Sequence, residues 1–275
     1  MPAHEMSLLP YSAVVVTGGS SGIGKSFISH IGNVKREVLI CNLSRRRPEA
    51  IADKLNLRHI ECDLADADRR RAAVAEILDL LDTAAPAGPV LLINNAGFGA
   101  YGRFPHPSAD EQLGMIDLNI AAGVDLTAQL LPVLKTRGGA IMNVASTAAF
   151  QPTPFLATYG ATKAFVLHWS LGLREELRGS GVHVMAVCPG PTSTEFFRRA
   201  GLQQGSVPDA FGQTSEAVVA EAMAALARGR GHVVTGWKNK VLTFVSSKVP
   251  LTWVGPISRR VLERYRLKAS GGGSG

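Results

Sequence analysis

At 275 residues, 46% hydrophobic and 19% charged, the chain has the composition of a folded globular protein with room for one α/β domain, which excludes disordered and fibrous classes. Its three cysteines (Cys41, Cys62 and Cys188) are scattered and lack metal-ligand spacing, so no metal site is expected and reduced thiols in a cytoplasmic protein are. The formal charge of +7 sits in one stretch: residues 237–269 carry eight Lys or Arg against Glu263 alone, so the remainder is near neutral and nucleic acid is not an expected partner.

Residues 1–10 form a lead too short in apolar residues for a signal peptide, and no apolar run is long enough to cross a bilayer. Beyond it, short β-branched runs alternate with helical patterns. Strands are expected at Ala13–Val16, Val38–Leu43, Arg58–Cys62, Val90–Asn94, Ala140–Ala145, Val182–Cys188 and His232–Thr235. The clearest helices are Arg69–Leu81, Ser108–Leu134, Tyr159–Leu177 and Ser215–Ala227. Strands of near-continuous Val, Ile and Leu separated by helices imply a mostly parallel sheet of about seven strands, covered on both faces. One doubly wound α/β domain over residues 11–236 is the economical architecture. Residues 270–275 read as a glycine–serine linker outside the fold.

The first strand runs into Thr17-Gly18-Gly19-Ser20-Ser21-Gly22-Ile23-Gly24 and then a helix. Glycines there let the backbone turn sharply and approach a pyrophosphate at a helix N-terminus, although a purely structural turn would look the same. Further on, Tyr159 and Lys163 are spaced i, i+4 on one helix face, and Ser146 closes the strand upstream. A phenol titrates near 10 in isolation, and a neighbouring ammonium draws it toward the working range. Phenol, ammonium and hydroxyl converging on one point suit protonation of a carbonyl oxygen.

Taken in order, these motifs resemble the short-chain dehydrogenase/reductase family from about Val14 to Thr194. Thr17–Gly24 is similar to its T-G-x-x-x-G-x-G turn, and Asn94-Asn95-Ala96-Gly97 to its N-N-A-G. Ser146, Tyr159 and Lys163 match its catalytic trio, Asn119 its helix asparagine, and Pro189-Gly190-Pro191-Thr192-Ser193-Thr194 its P-G-x-x-x-T. The resemblance implies a Rossmann-type fold and hydride transfer to or from nicotinamide. Tyr159 would act as general acid or base, Ser146 would bond the substrate oxygen, and Lys163 would tune the tyrosine and hold ribose. Asn119 would anchor a water leading to Lys163; a helix asparagine satisfied by backbone is the other reading. Cofactor contacts are implied at Gly18, Ser20, Ser21, Gly22, Ile23, Gly24, Asp63, Leu64, Asn95, Ala96, Gly97, Pro189, Gly190, Thr192 and Thr194.

Ser44 stands 20 residues after Gly24, where NAD enzymes place an acid on the ribose, and Arg45, Arg46 and Arg47 follow it. Serine removes repulsion toward a 2′-phosphate and arginine supplies donors, so NADP(H) is expected with Arg45 as main contact and Arg46 as second. A solvated basic loop is the alternative. Phe98, Tyr101, Phe150, Phe155, Phe196 and Phe197 are expected to line an apolar pocket for a ketone, aldehyde or alcohol, with residues 195–213 as a lid.

The class expected is therefore an NADPH-dependent oxidoreductase; the rival is a non-catalytic NADP(H)-binding sensor on the same fold. Apolar groups on several faces of Tyr159–Leu177 (Phe165, Leu167, Trp169, Leu171) suggest a homodimer or homotetramer. For the basic, apolar extension 237–269, Pro250 and Pro256 should divide the segment. It is expected to pack back on the sheet edge and cover Leu242, Phe244 and Val245, with peripheral membrane contact as the less favoured reading.

Overall fold

A computed structural model describes residues 10–48, 55–85, 87–192, 196, 200 and 212–266. Seven strands form one sheet: β1 (Ala13–Thr17), β2 (Leu39–Ser44), β3 (Leu57–Glu61), β4 (Val90–Asn94), β5 (Gly139–Val144), β6 (Val182–Cys188) and β7 (His232–Val234). Their order is β3-β2-β1-β4-β5-β6-β7 and every pairing is parallel. The expected doubly wound α/β class is the one observed, with strand ends displaced by a residue or less from those read in the sequence.

Five residues of β1, AVVVT, are all buried because both faces of the sheet are covered. Val14 and Val16 join a cluster with Phe27, Ile28 and Ile31 of α1 (Gly22–Val34) and with Val218, Val219 and Ala222 of α6 (Ser215–Ala227). Ala13 and Val15 face the opposite cluster, built from Val74, Ile77 and Leu81 of α2 (Ala67–Thr83) and Leu126, Leu130 and Leu134 of α4 (Ala122–Arg137). Alternation along one strand thus feeds two cores. A third, smaller cluster lets α5 (Ala157–Glu176) pack Val166 and Leu167 on Ala186 and Cys188 of β6.

Arg70 of α2 joins the two helices of the second layer, its Nε donating to Asp125 and its Nη1 to the Leu64 carbonyl at 2.8 Å. Burial alone would raise the Asp125 pKa, but hydrogen bonds from Arg70 and Gln129 hold it below the ordinary carboxylate range.

Two segments depart from the sequence reading. The single helix expected over Ser108–Leu134 is α3 (Ala109–Ile116), a π turn (Asp117–Ala121) and α4. The capping box of Ser108 and Glu111 starts α3. The extension, in turn, forms α7 (Trp237–Lys248) and α8 (Leu251–Arg266); Pro250 separates them, whereas Pro256 lies inside α8 without dividing it. Nor are Leu242, Phe244 and Val245 covered: all three are exposed. The residues α7 buries are polar instead, namely Asn239, Thr243 and Ser246.

Candidate active site

Strand order reverses about β1 and β4, and the loops leaving their carboxyl ends open the crevice where ligands of doubly wound sheets bind. Thr17 and Asn95 lock those loops together. Thr17 Oγ1 accepts from the backbone N–H groups of Asn95 and Ala96, both at 2.9 Å, and Asn95 Nδ2 donates to the Thr17 and Gly18 carbonyls at 2.9 and 3.3 Å. The Asn95 side chain therefore shapes the turn from behind. Gly24 is obligatory in this arrangement, because a β-carbon would fall 2.4 Å from the Gly18 carbonyl oxygen. Gly19 N donates to Asn42 Oδ1 at 2.9 Å, a buried support the motif reading did not include.

The N-terminus of α1 is open to an anion. Ser21 occupies its cap position without a side-chain cap bond, and the first turn contains no acid. Ser20 and Ser21 are half-buried, and Ile23 packs against the core beneath. This cradle fits a pyrophosphate. Ser44 is buried, accepting from Asn42 Nδ2 at 2.9 Å and donating to the Arg46 carbonyl at 2.8 Å, so its hydroxyl shapes the loop; Arg45, Arg46 and Arg47 are exposed. Asp63 accepts from Ala65 N at 3.1 Å, next to buried Leu64.

Tyr159 and Lys163 lie one turn apart on α5, with Lys163 Nζ 5.8 Å from the tyrosine ring centroid. The Phe196 ring packs against Tyr159, 5.2 Å between centroids. Burial lowers the Lys163 pKa from 10.5 to about 8, and its Nζ donates to the Val144 carbonyl at 2.8 Å. Cys188 lies beside it, its thiol pushed up to about 12 by burial. Ser146 caps the short helical turn Thr147–Phe150, accepting from Ala148 N at 3.1 Å, at the carboxyl end of β5.

Asn119 sits in the π turn and makes three hydrogen bonds to protein groups. Its Nδ2 donates to the Phe98 carbonyl at 2.9 Å and to Thr162 Oγ1 at 3.0 Å, and its Oδ1 accepts from Phe98 N at 3.0 Å. Beside it a cavity of about 20 Å³ is lined by Asn94, Asn119, Asn143 and Lys163 together with apolar groups such as Leu118, Leu126, Val166 and Trp169. Asn94 Oδ1 is buried without a hydrogen-bond partner. There is space for one water there, with Asn94, Asn119, Asn143 and Lys163 as its polar neighbours.

The aromatic residues divide. Phe155 lines a cavity of about 390 Å³ with Ala100, Arg103, Gln112, Thr158 and Arg259. Its φ of 66° is a conformation a bulky side chain adopts only under tertiary constraint, here the Arg103 guanidinium 5.2 Å over its ring and Tyr101 at 5.8 Å. Phe150 instead packs beside Ala145, Val166 and Leu167, and Phe98 is engaged through its backbone. Thr194, Phe197 and most of 195–213 lie outside the described residues. The loop after β6 keeps Thr192 Oγ1 on the Gly190 carbonyl at 3.0 Å and hands the Pro189 carbonyl to Thr147 N at 2.9 Å. Arg103, Gln112 and Arg259 were not legible as pocket residues, because no motif spacing marks them. Among the described residues no cluster could hold a metal ion.

An anion cradle and a phenol–ammonium pair on one edge of a doubly wound sheet are what hydride transfer requires, and they define a dinucleotide-dependent oxidoreductase. Comparison with known proteins narrows the class. A short chain dehydrogenase family model matches residues 12–205. Serine 3-dehydrogenase of Agrobacterium fabrum is 34% identical over 199 residues, 70% of this chain and 78% of that protein. The ketoacyl reductase HetN of Nostoc sp. is 29% identical over 260 residues, 90% and 82% of the two chains. Among solved structures, a short-chain dehydrogenase from Sphingobium yanoikuyae in complex with NADPH superposes with a TM-score of 0.73 at 29% identity, covering 87% of this chain and 97% of that one. The chain belongs to the short-chain dehydrogenase family and is an oxidoreductase acting on CH–OH or C=O groups.

Proposed function

We propose that the protein is an NADPH-dependent carbonyl reductase or alcohol dehydrogenase whose substrate is a hydrophobic ketone, aldehyde or secondary alcohol. The observation that carries this reading is that Tyr159 has both an aromatic ring, Phe196, and the buried ammonium of Lys163 as neighbours. An apolar neighbour and a cationic one suit a phenol that meets an apolar carbonyl compound and hands over one proton. The nicotinamide supplies or accepts the hydride when bound. Tyr159 protonates the carbonyl oxygen in reduction and takes the proton back in oxidation, and Ser146 orients that oxygen. Lys163 favours the phenolate, and the water-sized cavity that Asn119 and Lys163 both line would give its ammonium a route to a proton.

Exposed Arg45 and Arg46, with no acid at position 44, favour a 2′-phosphate. Gly18, Ser20–Gly24, Asp63, Leu64, Ala96, Gly97, Thr192 and the Pro189–Gly190 turn complete the cofactor edge. A panel of apolar ketones, aldehydes and alcohols, followed by NADPH absorbance with NADH in parallel, tests the reading. Turnover with NADPH at low cofactor concentration is expected; equal turnover with NADH would reject the phosphate preference, and silence across the panel would reject the activity.

A homo-oligomer is part of the same proposal. Leu113 and Ile116 of α3 and Phe165 of α5 are exposed, the last stacked on Trp169 with 6.4 Å between centroids. Such an apolar face on adjoining helices suits a second copy.

A further inference from the structure

The last two helices carry apolar stripes on their outward faces, and in the first of them the polarity is reversed. In α7 the three side chains turned inward are Asn239, Thr243 and Ser246, which fold back onto backbone carbonyls: Asn239 Nδ2 on Thr235, Thr243 Oγ1 on Asn239 and Ser246 Oγ on Thr243, at 2.9 to 3.1 Å. Trp237, Val241, Phe244 and Val245 are spaced i, i+4, i+7, i+8 and face the opposite way, with Trp237 70% and Phe244 65% exposed. In α8, Trp253, Ile257 and Val261 repeat at i, i+4, i+8 on a second exposed stripe, Trp253 being 69% exposed. A helix packed only to complete a core turns its apolar stripe inward. α7 turns its stripe away from the body of the protein, and α8, although it buries Val254, leaves Trp253, Ile257 and Val261 facing out.

Cations frame both stripes. Lys238 Nζ lies 5.7 Å over the Trp237 ring and Lys248 Nζ 5.6 Å over Phe244, while exposed Arg260 flanks the α8 stripe. The sole acid of this segment, Glu263, is engaged by Arg103 and Arg259 at 3.0 and 3.1 Å. We propose that α7 and α8 form a docking surface for an anionic lipid bilayer, with the two apolar stripes seated at the acyl boundary and the lysines and arginines among the headgroups. Exposed tryptophans on amphipathic helices with basic flanks suit that boundary. A second copy of the chain is the poorer occupant, because two-fold pairing would set a segment of net +7 against itself. Among the described residues no helix is long and apolar enough to cross a membrane, so contact would be peripheral.

The test is co-sedimentation of the full chain with vesicles of phosphatidylcholine, alone or with one-third phosphatidylglycerol, at low and high salt. Binding to the anionic vesicles, weakened about tenfold or more by high salt, is expected, together with a blue shift of tryptophan emission. A Trp253→Ser/Ile257→Ser protein and a Trp237→Ser/Phe244→Ser protein should each lose binding about tenfold or more while melting like the parent, since the substituted groups are exposed. No binding, equal binding to neutral and anionic vesicles, or unchanged binding by both variants would overturn the proposal. So would light scattering in which the same substitutions turn an oligomer into a monomer, for then a second copy occupies the surface.

Discussion

Gly190 and Asn239 approach so closely that a β-carbon on the glycine would lie 2.1 Å from Asn239 Nδ2. The first is in the loop after β6 that flanks the cofactor edge; the second begins the buried face of α7 and bonds the Thr235 carbonyl at 2.9 Å. The C-terminal extension thus braces a loop of the site from behind. Gly190→Ala should cost about 1–3 kcal/mol through overpacking and weaken cofactor binding. Because Asn239→Ala removes the obstructing amide, the double variant should recover part of both losses. Thermal melts and cofactor titrations of the four proteins in the cycle check this, and strict additivity would contradict it.

Tyr159→Phe removes the hydroxyl that carries the transferable proton and keeps the ring that packs on Phe196. Turnover should fall about 10²–10⁴-fold while cofactor affinity stays within a factor of about two. Steady-state kinetics beside fluorescence titration separate the two effects, and retained turnover would remove Tyr159 from its assigned role.

Lys163 is buried with its pKa lowered from 10.5 to about 8 by desolvation. Between those values the unfolded chain binds more protons than the folded one, so this group makes the folded state gain stability as pH rises through about 8 to 10.5. Below about 8 the full cost of the buried charge, about 3 kcal/mol before its hydrogen bond to Val144 is counted, is present. Lys163→Met should therefore raise the melting temperature of the cofactor-free protein at pH 7, with a gain that shrinks toward pH 10, while abolishing turnover. A gain that grows with pH would reverse the sign and refute the assignment.

Arg45→Ala should raise the KM for NADPH about tenfold and leave that for NADH nearly unchanged, since only a 2′-phosphate would notice the loss. This substitution is cleaner than Ser44→Asp, which would also disturb the bonds from Ser44 to Asn42 and Arg46. Equal effects on both cofactors would point to a general electrostatic role for the loop.

How legible the fold was depended on burial. β1, β4 and β6 read as strands because both faces are covered and nearly every position is apolar, half-buried Asn94 and His183 being exceptions. Motif spacing placed Tyr159, Lys163 and Ser146 near one edge, since each falls at a strand end or on the helix that follows. The support beneath them was silent: Asn42 holding Gly19, or Asn239 against Gly190, are contacts between distant segments that no local pattern announces. Proline misled in the extension because its effect depends on position. Pro256 lies in the second turn of α8, where few backbone bonds precede it, and Pro132 is likewise accommodated within α4.

The π turn at Asp117–Ala121 has a consequence for how this chain can vary. An extra residue in one helical turn rotates everything beyond it by about 100° about the axis. Upstream of it, Met115 is set into the interior; downstream, Leu126, Leu130 and Leu134 face the sheet, and Asn119 between them reaches Phe98 and Thr162. The turn works as a phase adapter between two helices that must present different sides. Excising one residue there would straighten the rod yet put either the leucines or the asparagine out of step, so this stretch should accept substitutions far more readily than changes in length.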